Sequence, residues 1–177
     1  MRKRIGALLA ALVLLTGCGA GSGIAVVEEA PEAEAEMVKY VALTFDDGPS
    51  PRCTPRLLDG LQELGARATF FVVGASGEED LQRMRNIVAA GHTLAIHSYS
   101  HNYQKIYASV EAYLEDFYQM YTQIVEATGV KPQIFRFPGG SINAYNGGIY
   151  QEIIAEMTRP DFYPRFARRV ALCRDIR

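Results

Sequence analysis

Residues 40–50 read YVALTFDDGPS: an apolar run, two adjacent carboxylates, then a Gly-Pro turn. Side chains along a strand alternate between its faces, so an uninterrupted strand would drive Asp46 or Asp47 into the core. YVALTF (40–45) reads as a buried strand, and the tight DDGP turn lets both acids clear its end and face one space. Outward from here the pattern recurs. RATFFVV (67–73), TLAIHS (93–98) and QIFRF (133–137) read as further strands. The first helix falls on TPRLLDGLQELG (54–65), with Thr54 as N-cap, Pro55 at the first helical position and Gly65 as the stop. EEDLQRMRNIVAAG (78–91) and SVEAYLEDFYQMYTQIVEATG (109–129) follow, each acidic early and ended by glycine, and IYQEIIAEM (149–157) is a last amphipathic stretch. Strand–helix alternation implies parallel strands joined by crossovers, hence an α/β fold. Four βα units make half of a barrel or most of an open sheet.

At 177 residues, 49% of them apolar, the chain has room for one domain of ordinary size with a real core. Its formal net charge of -2 hides unlike segments. Between residues 18 and 158, acids outnumber bases two to one, which leaves no basic stripe for a phosphate backbone and excludes nucleic acid as a partner. Residues 1–18 are an export signal: MRKR is a basic start, and IGALLAALVLL is too short to span a bilayer comfortably. The junction LTGC (15–18) resembles a bacterial lipobox, which implies lipidation of Cys18; an ordinary secretory peptide with an incidental cysteine is the alternative. Either way the mature protein works outside the cytoplasm, and with the lipid it is a membrane-anchored lipoprotein of the bacterial surface. Residues 19–37, small and acidic with no aromatic, form a solvated linker to a domain spanning 38–158. Cys53 and Cys173 are free to pair or to remain thiols.

The chemistry-bearing residues sit at corresponding places. Asp46 and Asp47 follow the first strand, His97 and His101 the third, and Arg136 with PGG ends the fourth. In parallel α/β folds the carboxyl ends of the strands form the face on which sites are built, so three separate stretches converge on one rim. His97 and His101, four apart, would lie on one side of a helical turn. Two imidazoles and one carboxylate, Asp47, are a common ligand set for a catalytic zinc with a position left open. Asp46 is then the proton acceptor for the attacking water. His92, after Gly91 in a turn and with no partner at useful spacing, is given no chemical role.

TFDDGPS (44–50), HSYSH (97–101) and RFPGG (136–140) together resemble, in order, the first three motifs of the polysaccharide deacetylases, the NodB homology domain or carbohydrate esterase family 4. ATFFVVG (68–74) and the Gly-His before the third strand are similar too, so the resemblance spans about residues 38–157. It implies a distorted (β/α) barrel and metal-dependent removal of N-acetyl groups from N-acetylglucosamine polymers such as peptidoglycan or chitin. By position, Asp46 matches the catalytic base, and Asp47, His97 and His101 match ligands of a divalent metal, zinc by type. Arg136 matches the arginine that holds the base, and Gly139 the residue whose N–H helps hold the oxyanion.

The family pattern includes two further motifs, an Asp-Trp segment and a Leu-x-His segment whose histidine is the general acid. This sequence has no tryptophan and no histidine after His101. From residue 159 it turns to RPDFYPRFARRVALCRDIR, an atypical arginine-rich tail. The expectation is a disrupted reading frame and an incomplete barrel holding the first four or so βα units. The leading function is an N-deacetylase impaired by the missing motifs. The alternative is a non-catalytic glycan-binding lipoprotein of the same fold; an aspartyl phosphotransferase leaves the histidine pair unexplained.

Overall fold

The computed structural model describes residues 40–159. The chain divides between Lys39 and Tyr40 into two units, and the described residues belong to the second. The export signal with Cys18, the linker, Cys173 and the tail from residue 160 lie outside the described residues. Three strands, β1 (Leu43–Gly48), β2 (Ala68–Val73) and β3 (Thr93–Ser98), alternate with α1 (Cys53–Glu63) and α2 (Glu78–Ala89). A short α3 (Tyr103–Ile106), the long α4 (Val110–Thr128) and α5 (Tyr150–Met157) follow. The strands pair in parallel in the order β1-β2-β3. Gly65, Gly91 and Gly129 end the three longer helices with positive φ, as the stop signals in the sequence require. The core gathers Phe70 and Val72 of β2, Leu94 and Ile96 of β3, Met84 and Ile87 of α2, Met120 and Ile124 of α4, and Ile153 of α5. Among the described residues no helix is long and apolar enough to cross a membrane.

Three local readings need correction. The 40–45 run is not buried: Tyr40 and Val41 are exposed and Leu43 is 39% exposed. Among the described residues β1 has a neighbour on one side only, and Phe45 alone tucks in, its ring centroid 5.2 Å from that of Phe70. The fourth strand shrinks to a single parallel bridge between Phe135 and Ile96. Ile96 N–H donates to the Ile134 carbonyl at 3.1 Å and Arg136 N–H to the Ile96 carbonyl at 2.9 Å. Pro132 and Pro138 bracket this pairing, and neither has an N–H with which to extend it. Finally, α1 starts at Cys53, and Thr54 is not its cap. Thr54 Oγ1 accepts instead from Ser50 N–H at 2.8 Å, while Ser50 Oγ accepts from Cys53 N–H at 3.2 Å. The exchange pins the DDGP turn to the helix start.

Candidate metal centre and its neighbouring carboxylate

Two slips in strand register build the site. Along β1, Asp46 pairs with Phe71 and Gly48 with Val72, so Asp47 is an inserted residue without a partner on β2. Along β3, Ile96 pairs with Val72 and Ser98 with Val73, so His97 is likewise inserted. A bulge re-aims a side chain that strict alternation would send elsewhere. Asp47 adopts φ 63, a left-handed conformation that Asp tolerates better than most residues. The bulge, more than the turn after it, sets the two neighbouring acids to one rim.

His101 lies in the loop after β3 with φ 49, so HxxxH is a strand-to-loop arrangement and not a helical turn. Its ring centroid is nevertheless 5.3 Å from that of His97. Asp47 Oδ1 sits 3.2 Å from Nε2 of His97 and 3.2 Å from Nε2 of His101. The three residues present one donor atom each within 4.8 Å of one another. His101 Nε2 is buried and, despite that proximity, makes no hydrogen bond among the described residues. A polar atom so placed is costly unless something satisfies it, and a cation between the three donors would. The residues fit a divalent metal. His97 is only 5% exposed, and its Nδ1 lies 3.0 Å from the Arg136 carbonyl. Donation from Nδ1 leaves the Nε2 lone pair facing Asp47. Burial pushes the His97 imidazole below the usual histidine range, against the pull of Asp46 and Asp47, which favours the neutral form that ligates.

Asp46 has a separate environment. Its Oδ1 accepts from Arg136 Nη1 at 2.7 Å, and the same nitrogen donates to Thr44 Oγ1 at 3.2 Å. The guanidinium also stacks over Phe71, with Cζ 4.1 Å from the ring centroid. Arg136 therefore serves both halves of the site, by side chain to Asp46 and by carbonyl to His97. Gly139, in the loop after it, has φ 73. A Cβ there would lie 2.9 Å from Cε2 of Tyr103, whose ring meets His101 edge-on with centroids 5.3 Å apart. The Gly139 N–H donates to nothing among the described residues. The loop itself is held by Tyr107 Oη, which donates to the Pro138 carbonyl at 2.7 Å, and by Asn143. His92 stands apart, immediately before β3, buried against Phe70. Cys53 is exposed at the start of α1.

The sequence reading left out Thr44, Phe71, Tyr103 and Asp116. Thr44 had a signal, since two positions before Asp46 is the same face of a strand. Asp116 had one as well: it interrupts the buried stripe of α4 formed by Tyr113, Phe117, Met120 and Ile124. Nothing local marks Tyr103.

The model of the family described as polysaccharide deacetylase matches residues 33–156. The chain belongs to the polysaccharide deacetylase family. It is 36% identical over 118 residues to a peptidoglycan-N-acetylglucosamine deacetylase of Bacillus cereus, a match spanning 66% of this chain and 42% of that protein. Among solved structures it resembles the catalytic domain of a peptidoglycan N-acetylglucosamine deacetylase from Eubacterium rectale, with a TM-score of 0.62 and 39% identity. That likeness covers 71% of this chain and 60% of the other. It also resembles a family 4 acetyl xylan esterase from Clostridium thermocellum in complex with a cobalt ion (TM-score 0.50, 33% identity, 55% of this chain and 48% of that one). The chain thus spans under half the length of the Bacillus relative, and its fold is the α/β fold of the family's solved deacetylases.

Proposed function

We propose that this chain is a metal-dependent hydrolase that removes N-acetyl groups from an N-acetylglucosamine polysaccharide of the peptidoglycan or chitin kind. One observation carries the reading: Asp47 Oδ1 stands 3.2 Å from both histidine Nε2 atoms, while its neighbour Asp46 is held apart by Arg136 at 2.7 Å. Two adjacent acids thus have two separate environments, one fit for a ligand and one for a base. Asp47, His97 and His101 would hold the cation, zinc by its donor set, which when bound polarises the amide carbonyl and makes water more acidic. Asp46 takes the proton from the attacking water, and Arg136 keeps that carboxylate aimed. The Gly139 N–H points to the role of donor to the oxygen of the tetrahedral intermediate. Acetate release from N-acetylglucosamine oligomers tests the reading; it should vanish on chelation and fall about 100-fold or more in Asp46→Asn, and acetate release unaffected by either would refute it.

A second reading, a glycan-binding protein without catalysis, draws on one fact: residues 102–177 include no histidine, so within them protonation of the departing amine has no assigned donor. Oligomer binding without acetate release would favour it. We further propose that Cys18 carries lipid and anchors the domain, outside the cytoplasm, to a membrane at the bacterial cell surface. Labelling with a fatty-acid analogue should be lost in Cys18→Ala, and equal labelling of that variant would rule the anchor out.

A further inference from the structure

The loop that joins the two histidines is held by a buried acid from another element. Asp116 projects from α4 and is 5% exposed. Its Oδ2 accepts from the Ser98 hydroxyl at 2.7 Å and from Tyr99 N–H at 2.6 Å, and its Oδ1 accepts from Ser100 N–H at 2.8 Å. Both oxygens are committed to residues 98–100. Because the single Ser98 hydroxyl proton goes to Asp116, the Ser98 oxygen is left to accept, and it does so from His101 N–H at 2.9 Å. The chain of contacts runs from carboxylate to hydroxyl to the backbone of a candidate metal ligand. That ligand is the one with φ 49, a conformation that a non-glycine residue holds only when its surroundings impose it. His97 needs no such help, being fixed by the strand and by the Arg136 carbonyl.

A buried carboxylate without partners would be strongly unfavourable; three donors satisfy this one, and all three come from the loop between the ligands. A packing role alone would have been met by an apolar residue in the stripe of Tyr113, Phe117 and Met120. We infer that Asp116 is a positioning residue that acts through Ser98 to fix the His101 backbone, and so sets the spacing of the three cation donors. This inference rests on the metal reading of Asp47, His97 and His101 and extends it to the α4 helix.

The test is cobalt(II) titration of the 177-residue chain, read by calorimetry and by the visible absorption of the bound ion, which reports ligand geometry. Wild type, Asp116→Asn and Ser98→Ala are compared, with Glu115→Gln as the control on the same helix. Asp116→Asn places an amide N–H against a donor of the loop; cobalt affinity should fall about 10- to 100-fold with an altered spectrum, as for other groups that orient ligands. Ser98→Ala should move both in the same direction, and Glu115→Gln neither. A role confined to stability would lower the melting temperature while affinity and spectrum stayed at wild-type values, and that result overturns the inference. If Asp116→Asn does not fold, Ser98→Ala decides, since it keeps both backbone contacts to Asp116 and removes only the hydroxyl that links Asp116 to His101. Wild type that binds no cobalt would overturn the metal reading itself, and the inference with it.

Discussion

At the residue scale the proposed function divides labour between the neighbours Asp46 and Asp47. Asp46→Asn removes a proton acceptor without touching the donor cluster, so acetate release should fall about 10²- to 10⁴-fold while cation binding persists. Measuring both on one preparation checks this; loss of the two together would mean that Asp46 is itself a ligand. Arg136→Lys separates the two services of Arg136. A lysine keeps the charge but loses the planar stack on Phe71 and the fixed aim at Asp46, while the backbone carbonyl to His97 is unchanged. Turnover should drop about tenfold, with cation affinity close to wild type. An affinity loss as large as the turnover loss would contradict that division.

Elements place these residues, and here the limits of sequence are physical. Helix stops were legible because glycine at a helix end is a local requirement, met at Gly65, Gly91 and Gly129. The convergence of three strand ends was legible for a similar reason, since parallel α/β topology puts them on one edge. The bulges at Asp47 and His97 were not, because they exist only in the register against β2. The length of the fourth strand and the exposure of β1 also depend on which neighbours a strand has, which no short window of sequence records. HxxxH misled for a related reason: spacing fits a helical turn equally well, and the Asp116 contacts that shape the loop come from α4. Two substitutions test the strained positions. Asp47→Asn and Asp47→Ala should both abolish cation binding, but the metal-free Ala variant should be the less stable by about 1 kcal/mol, because Asn tolerates the left-handed conformation. Gly139→Ala meets both positive φ and the Tyr103 ring, and should cost about 1–2 kcal/mol or more in urea unfolding. Equal stability to wild type would mean that the loop is not fixed as described.

At the scale of the whole molecule, two buried imidazoles tie stability to pH. Burial holds His97 and His92 below the usual histidine range, with Arg67 adding to the effect at His92. The unfolded chain then takes up protons first as pH falls. Stability from these rings is complete above the ordinary histidine pKa of about 6.5 and is lost as pH drops through the lower folded values. The metal-free chain should therefore show a falling urea midpoint between about pH 7 and pH 5, and His92→Leu should flatten part of that slope. A variant slope as steep as wild type would assign the effect to other groups.

The most direct measurement is an anomalous difference map from crystals of the chain grown with zinc. The expected result is one strong peak bounded by Asp47 Oδ1, His97 Nε2 and His101 Nε2 at about 2.0–2.2 Å, with the Asp46 carboxylate beside it and still on Arg136. No peak at saturating zinc, or an ion held elsewhere while those three atoms stay apart from it, would contradict the account.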